Sequence, residues 1–219
     1  MPSTPLPPPK PATAEVVFVR SQGLEVAVAE TTVGQYRRCV DAGACRVPTL
    51  PPPKNFGTPY TIAWSRGRDD LPVDQVDWTD ANRFCAWARA RLPTAEEWDR
   101  IVTNGGRTRF PWGDELAPGG VHRCNIWQGV FPRHNSRDDG FYGTAPVDAF
   151  EPNGFGLYNL CGNAWEWCAD WFGIDHGIEH AGAPVHAPAG PVRGARRVIR
   201  GGSYLCHESY CYRYRVAAR

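Results

Sequence analysis

Hydrophobic and polar positions first follow the pattern of β-strands and then the pattern of an α-helix. Val16–Val19 and Leu24–Ala29 are short runs rich in β-branched residues, and the turn-forming Ser21–Gly23 lies between them. Thr32 comes next, and apolar residues then recur at helical spacing as far as Val40. The start of the chain therefore predicts a strand hairpin followed by a helix with Thr32 as its N-cap.

Two further helices are predicted in the first half of the chain. The segment from about Thr79 to Ala90 has one apolar face, with Thr79 as the expected N-cap. Another helix is expected to begin at Thr94, because Thr94 and Glu97 have the spacing of a capping box. Asn104–Gly106 predicts its end, since glycine commonly terminates helices.

The second half of the chain has no helical periodicity. Residues 107–194 contain short segments, turn signals and many aromatic residues, and Arg197–Arg200 has the pattern of a strand. Pro48 and Pro51–Pro53 exclude regular structure from another stretch. These patterns predict an α+β fold with few short helices, few short strands and much ordered loop.

Composition agrees with a loop-rich but folded domain. The 219 residues include 23 glycines and 21 prolines. Aromatic residues make up 12% of the chain, whereas disordered chains contain few of them. The formal net charge of +1 gives no electrostatic case for a nucleic acid or an anionic membrane as partner. No apolar run approaches the ~20 residues of a membrane helix. We expect a single domain that acts as a monomer.

The first residues and the cysteines suggest a cellular setting. Residues 1–14 are rich in proline and are predicted to be a flexible tail before a domain of residues 15–219. The tail has no apolar signal core, so a cytoplasmic location is expected. The eight cysteines are Cys39, Cys45, Cys85, Cys124, Cys161, Cys168, Cys206 and Cys211. Their even number permits disulfides of unspecified pairing, whereas a reducing compartment favours metal or redox chemistry.

Cys206 and Cys211 form the first candidate site. Thiols five positions apart point to opposite faces of a strand and lie about 140° apart on a helix, so they meet only if the segment bends. If they meet, they can form a disulfide or bind a soft ion such as Cu(I). Spacing alone favours a disulfide or two unrelated buried cysteines.

Two loops carry oxygen atoms that suit a hard cation. In Asn159–Trp167, amide, carboxylate and backbone oxygens surround a turn, which suits Ca²⁺ as well as it suits an aromatic core turn with a hydrogen-bonded Glu166. Asn125 and Ile126 together with Asp138–Phe141 offer a similar set, although a plain Asx-turn explains that spacing better. Calcium is thus one of two interpretations for each loop.

A histidine pair offers a further metal motif. His176 and His180 have the four-residue spacing of a zinc-binding helix. Gly177 and the surrounding glycines and prolines argue against a helix, so a solvated loop is the favoured interpretation.

From Glu15 to Arg219 the chain resembles the formylglycine-generating enzymes, a family of sulfatase-modifying factors. The most specific motif is Cys-His-x-Ser-Tyr-Cys, which lies within Arg200–Arg219. The other matching segments are Arg91–Trp98, Phe110–Gly113, Asn125–Gly129, Gly143–Phe150, Asn153–Asn159 and Gly162–Trp167. The resemblance implies an irregular fold of low secondary-structure content with a C-type-lectin-like core.

The resemblance also implies an activity. Family members are copper-dependent oxidases that use O₂ to convert the cysteine of a Cys-x-Pro-x-Arg motif in unfolded type I sulfatases to Cα-formylglycine. By this likeness Cys206 and Cys211 hold Cu(I), the substrate thiol joins them, and Ser203 lies near the reacting centre. A thioaldehyde forms and hydrolyses to the aldehyde.

The same resemblance implies two structural Ca²⁺ sites. The expected ligands of the first are Asn125, Ile126, Asp139 and Phe141, with Ile126 and Phe141 serving through backbone carbonyls. The expected ligands of the second are Asn159, Gly162, Ala164 and Glu166.

Other outcomes stay open beside the oxidase. Family members have a strand before the equivalent of Val26 and continue beyond the equivalent of Arg219, so a domain truncated at both ends is expected. The alternative hypothesis is that such a chain is a catalytically inactive paralogue that binds sulfatases or other peptides. An iron-dependent sulfoxide synthase is disfavoured, because those relatives carry a separate His-rich helical domain that this sequence lacks.

Overall fold

The computed structural model describes residues 15–48, 64, 67–103, 108–173 and 193–218. Their helices are α1 (Val33–Asp41), α2 (Trp78–Trp87) and α3 (Ala95–Thr103). Their strands are β1 (Phe18–Ser21), β2 (Leu24–Ala27), β3 (Gly129–Val130), β4 (His134–Asn135), β5 (Glu166–Trp171) and β6 (Arg197–Arg200). The predicted α+β fold of low secondary-structure content is confirmed. Within these ranges, no helix has the length and apolar character needed to cross a membrane.

The predicted hairpin and first helix are present. Strands β1 and β2 pair antiparallel, and Gln22 and Gly23 form the turn between them with φ values of 51° and 80°. The amide N–H of Gln35 donates to Thr32 Oγ1 at 3.1 Å, and the amide N–H of Thr32 donates to Gln35 Oε1 at 3.0 Å. This reciprocal pair satisfies two N–H groups that the first turn of α1 would otherwise leave without partners.

The predicted N-cap of α2 is wrong by two residues. Asp77, not Thr79, caps the helix, and its carboxylate accepts the amide N–H of Asp80 at 2.8 Å. Aspartate is a stronger N-cap than threonine, so the helix begins at Trp78. It ends at Trp87, before Arg89 adopts a positive φ of 57°.

Helix α3 begins as predicted. The amide N–H of Glu97 donates to Thr94 Oγ1 at 3.1 Å, and the amide N–H of Thr94 donates to Glu97 Oε2 at 2.8 Å. Arg91 binds the same carboxylate through two N–H groups at 2.7 and 2.6 Å. The predicted stop at Asn104–Gly106 lies outside the described residues, as do the tail at 1–14, His176 and His180.

An antiparallel strand pair and α3 form the main core. Strand β6 was predicted, and it pairs with β5, which was not. The amide N–H of Ala95 donates to Asp170 Oδ2 at 2.6 Å and thus ties the start of α3 to β5. The buried apolar residues of this core are Trp98, Ile101, Val102, Leu157, Leu160, Cys168, Val198 and Val216. Residues of this core, of the β1–β2 hairpin and of α2 line a cavity of about 560 Å³.

One pair of cysteines is cross-linked. Cys39, near the end of α1, forms a disulfide with Cys45, and their Cα atoms are 5.2 Å apart. The other six cysteines are free thiols. The disulfide closes a short turn in which the amide N–H groups of Ala44 and Cys45 both donate to the carbonyl of Cys39.

Candidate functional site

The two C-terminal cysteines meet in the structure. Cys206 Sγ and Cys211 Sγ are 2.8 Å apart, which is well beyond the ~2.05 Å of a disulfide bond. The segment bends between them, because the carbonyl of His207 accepts the amide N–H groups of Tyr210 at 3.0 Å and Cys211 at 2.8 Å. The expectation that the thiols meet only through a bend is confirmed.

Backbone hydrogen bonds fix the buried member of the pair. The carbonyl of Cys206 accepts the amide N–H of Trp127 at 3.0 Å, and its own amide N–H donates to the carbonyl of Ser203 at 2.9 Å. Ser203 is itself buried, and its Oγ accepts the amide N–H of Leu205 at 3.3 Å. Ser203 therefore shapes the turn that carries Cys206.

A buried arginine anchors the segment that follows. Arg200, at the end of β6, forms an ion pair with Asp99 of α3 and donates to the carbonyl of Val216 at 3.1 Å. Gly202 has a φ of 86°, and a Cβ there would come within 3.1 Å of the Tyr214 backbone. Glycine thus permits a close approach of the two chain segments on either side of the thiols.

Aromatic rings line both sides of the thiol pair. Phe110 and Tyr214 stack with ring centroids 6.1 Å apart, and both pack in one apolar cluster with Cys206. Phe131 stacks on Tyr210 at 4.8 Å and makes an edge contact with Trp127 at 5.3 Å. Because Tyr210 is 58% exposed, it forms part of the rim, whereas Cys206 lies in the interior.

The two thiols differ in acidity. The pKa of Cys211 is lowered to about 7, first by the hydrogen bond from Cys206 and then by Arg213, whose amide N–H and positive charge both favour the thiolate. That same hydrogen bond and burial raise the pKa of Cys206. The proton is therefore held by Cys206 and donated to Cys211. Sequence reasoning did not identify the amide N–H of Arg213 as a contact of the pair.

The first candidate calcium loop brings its four predicted residues close together. Both oxygens of Asp139 accept backbone N–H groups, from Ile126 at 3.1 Å and from Phe141 at 3.0 Å. Burial raises the pKa of the Asp139 carboxyl, and these hydrogen bonds oppose the rise. Asn125 Nδ2 donates to the carbonyl of Gly143 at 2.8 Å. The bond from Phe141 to Asp139 has the geometry of the Asx-turn that spacing favoured.

The second candidate calcium loop surrounds a carboxylate that the sequence did not single out. Glu30 accepts hydrogen bonds from Asn159 Nδ2 at 3.1 Å, Asn163 Nδ2 at 2.8 Å and the amide N–H of Ala164 at 3.0 Å. Burial and the charge of Glu166 raise the pKa of Glu30 to about 8. Burial likewise raises the pKa of Glu166 to about 7.

One oxygen of this loop has no hydrogen-bond partner. Asn159 Oδ1 is buried, yet no donor reaches it, although its amide nitrogen is fully used. A buried carbonyl oxygen without a partner is uncommon in a native protein. The loop thus offers one free oxygen beside two partly buried carboxyl groups of raised pKa.

The two loops lock together through Asn125 and Asn163. The amide N–H of Asn163 donates to the carbonyl of Asn125 at 2.8 Å, and Asn125 Nδ2 donates to Asn163 Oδ1 at 2.9 Å. Gly162 has a φ of 74°, and a Cβ there would collide with the carbonyl oxygen of Asn125. Only glycine fits this crossing, so the two candidate loops are held as one unit.

Comparison with known proteins finds curated relatives of two kinds, an enzyme and a protein named inactive. The chain is 56% identical over 153 residues to the formylglycine-generating enzyme of Thermomonospora curvata, which covers 69% of this chain and 50% of that protein. It is 40% identical over 158 residues to the inactive C-alpha-formylglycine-generating enzyme 2 of Mus musculus, over 70% of this chain and 45% of that protein. The chain thus spans about half the length of the curated relatives it matches.

Fold and family comparisons agree. The solved structure of Treponema denticola variable protein 1 superposes with a TM-score of 0.57 at 19% identity, covering 94% of this chain and 86% of that one. Residues 11–219 match the model of the sulfatase-modifying factor enzyme 1-like domain. The match spans nearly the whole chain, including the thiol pair and both candidate calcium loops. This chain belongs to the sulfatase-modifying factor family.

Proposed function

We propose that this chain carries the centre of a formylglycine-generating oxidase. Its substrate would be the cysteine of a Cys-x-Pro-x-Arg motif in an unfolded sulfatase, which O₂ converts to Cα-formylglycine. The observation that carries the proposal is the contact of two free thiols, Cys206 and Cys211, at 2.8 Å. The 56% identity to a protein named formylglycine-generating enzyme supports it.

The donor set fits Cu(I). Two sulfur ligands in an apolar, aromatic surrounding suit a soft monovalent ion, whereas Zn²⁺ would require two more ligands. Among the described residues, no group of three or more histidine, cysteine or acidic side chains is placed to hold a metal. Cu(I) held by Cys206 and Cys211 would supply an open position for the substrate thiol and the redox chemistry of O₂.

The chain's own residues prepare this centre. Cys211 Sγ presents a thiolate near neutral pH, because the S–H of Cys206 and the amide N–H of Arg213 stabilise its negative charge. Ser203 orients Cys206 through the turn that it closes. Aromatic side chains keep water from the buried sulfur, while the exposed Tyr210 leaves a surface against which a peptide can lie.

We further propose Ca²⁺ as the structural ion of the loop formed by Asn159, Gly162, Ala164 and Glu166. The partnerless Asn159 Oδ1 supports this, since Ca²⁺ accepts amide and carbonyl oxygens readily. The raised pKa values of Glu30 and Glu166 support it too, because a divalent cation would relieve the repulsion between two carboxylates.

The other loop supports a calcium proposal less directly. Asp139 lies beside Ile126 and Phe141 but contacts their amide N–H groups. The carbonyl of Ile126 also accepts a bond from Gln128 Nε2 at 3.3 Å. Binding of Ca²⁺ by these residues and Asn125 would require the carbonyls of Ile126 and Phe141 to take part as ligands, which the family resemblance implies.

The test is aldehyde formation by the full chain. Reduced protein is loaded with Cu(I), incubated with a Cys-x-Pro-x-Arg peptide, O₂ and an external dithiol, and the peptide is analysed by mass spectrometry and hydrazide capture. We expect aldehyde from the wild type and none from Cys206→Ser. Cys85→Ser is the matched control, because Cys85 is a free thiol of α2 outside the site.

A peptide-binding function is the second candidate. The 40% identity to a relative named inactive favours it. Peptide binding with Cu(I) bound and no aldehyde at any copper or dithiol concentration would establish that function and refute the oxidase. Unchanged aldehyde yield in Cys206→Ser would refute the proposed role of the thiol pair.

A further inference from the structure

Two other free cysteines lie behind the thiol pair. Cys124 and Cys161 are buried, with 3% and 1% of their surfaces exposed. They belong to the same apolar cluster as Cys206, with Cys211 packed against it. Neither of them has a place in the function proposed above.

Backbone pairing sets these two cysteines side by side. Asn125 and Gly162 form a parallel β-bridge, and each is preceded directly by one of the cysteines. Adjacent strands lie about 4.7–4.9 Å apart, and disulfides form between Cα atoms about 4.4–6.8 Å apart. Cys124 and Cys161 occupy equivalent positions on one face of this crossing, since both pack in the same cluster.

Packing supports this proximity. Cys124, Cys161 and Cys206 belong to one buried cluster, and that cluster also contains Tyr214. In addition, Trp127, three residues after Cys124, donates its amide N–H to the carbonyl of Cys206. The two pairs of thiols therefore share one packed neighbourhood.

The proposed reaction needs electrons that its substrate does not supply. Conversion of a cysteine to an aldehyde and H₂S, with water as the oxygen source, releases two electrons and two protons. Reduction of O₂ to two molecules of water consumes four electrons and four protons. Two electrons and two protons must therefore come from another donor, and oxidation of two thiols to one disulfide releases that number.

We propose that Cys124 and Cys161 form a buried dithiol that supplies these two electrons by closing to a disulfide. This inference rests on the oxidase function proposed above. The S–H bonds of both cysteines break, an Sγ–Sγ bond forms between them, and their protons and electrons are taken up in the reduction of O₂. The balance is peptide–CH₂SH + O₂ + two protein thiols → peptide–CHO + H₂S + H₂O + one protein disulfide.

A single-turnover experiment without external reductant tests the proposal. The full chain is reduced, loaded with Cu(I), freed of dithiol and mixed with a substoichiometric amount of the Cys-x-Pro-x-Arg peptide and O₂. The reaction is stopped with acid. Thiols that remain are alkylated in denaturant, disulfides are reduced and labelled with a heavy alkylating reagent, and each cysteine is quantified by peptide mapping.

We expect nearly complete conversion of the peptide, with one Cys124–Cys161 disulfide formed for each aldehyde. If peptide thiols were the other donors, three peptides would be consumed per aldehyde, and the yield would stop at one third. Aldehyde formation while Cys124 and Cys161 stay reduced would overturn the proposal and leave the oxidase intact. Absence of aldehyde even with external dithiol would overturn the oxidase and this inference with it.

Variants add a second measurement. Without reductant, Cys124→Ala is expected to lose most of the first-turnover aldehyde, and an external dithiol is expected to restore it. Cys85→Ala, which removes a free thiol from α2, should behave as the wild type. A full first turnover by Cys124→Ala without reductant would contradict the proposal. Wild-type peptide mapping decides the question if Cys124→Ala does not fold.

Discussion

The thiol pair and the carboxylate pair treat their protons differently. Cys206 and Cys211 are in direct contact at 2.8 Å, so one thiol donates to the other, and the pKa of Cys211 falls to about 7 while that of Cys206 rises. Glu30 and Glu166 share no proton, and the pKa of each rises, to about 8 and about 7. A shared hydrogen bond separates the acidities of the thiol pair, whereas burial raises the pKa of both carboxyl groups and repulsion adds to the rise at Glu30.

This difference bears on which cation each pair suits. Near neutral pH the thiol pair already holds one negative charge on a soft, polarisable atom, the sulfur of Cys211. Cys206 holds the one remaining proton and donates it to that sulfur. The carboxylate pair offers hard oxygen atoms that lose their protons only at the upper end of the physiological range. Softness and protonation support the proposal of Cu(I) for the thiol pair and of Ca²⁺ for the carboxylate pair, and that proposal can be tested by experiment.

The largest expected effect is a crossed loss of metal binding. Cys211→Ser should lower Cu(I) affinity by more than ~100-fold, because loss of a direct ligand costs at least as much as loss of its supporting contacts. Glu166→Gln should leave that affinity unchanged. Competition with a chromogenic Cu(I) chelator measures both. Equal affinity in Cys211→Ser and the wild type would show that the sulfurs do not act as a pair.

The next effect is a difference in thiol reactivity. The pKa of Cys211 is about 7, whereas burial raises the pKa of Cys85 to about 11. At pH 7, Cys211 should therefore react with iodoacetamide about 100-fold faster than Cys85. The lower nucleophilicity of the more acidic thiol offsets only part of the gain in thiolate. Peptide mapping after short exposure to iodoacetamide gives both rates.

A variant of the buried partner sharpens this measurement. In Cys206→Ser the hydroxyl is a weaker acid, but it can still donate a hydrogen bond, so the reactivity of Cys211 should persist. In Cys206→Ala the donor is gone, and the alkylation midpoint of Cys211 should move to higher pH. A midpoint that does not move would mean that Arg213 and not Cys206 determines the acidity of Cys211.

Sequence reasoning was accurate where the signal is local. The hairpin turn, the N-cap at Thr32 and the capping box at Thr94 depend on residues within three positions of each other, and all are present. The cap at Asp77 was missed because two capping residues compete nearby. Strand β5 was missed because its hydrogen bonds come from β6, beyond a long intervening segment.

The candidate site shows the same limit. The motif that contains Cys206 and Cys211 was recognised, yet spacing alone does not determine the bend that brings their sulfurs together. Glu30 was missed because its partner Asn163 is 133 positions away along the chain. No local pattern marks a carboxylate whose role depends on a loop in the other half of the chain.

The smallest predicted effect is a pH-dependent response to calcium. Glu30 and Glu166 have higher pKa values in the folded chain than the ordinary 4.5, so without calcium they stabilise the fold most below pH 4.5. That contribution is lost as pH rises through 7 and 8. Calcium needs the carboxylates ionised, so it should raise Tm more at pH 8 than at pH 5. At a concentration ~100-fold above Kd, the gain is ~2.7 kcal/mol, or about 5–10 °C.

Glu166→Gln separates the two halves of that expectation. Without calcium, the Tm of the variant should fall less than that of the wild type between pH 5 and pH 8, because the variant has one fewer buried carboxyl group to ionise. With calcium, it should gain little at either pH, because the ligand charge is gone. Glu151→Gln, an exposed carboxylate, is the matched control. A calcium response that survives in Glu166→Gln would place the ion elsewhere, and the contrast between the soft and the hard pair would then rest on the thiols alone.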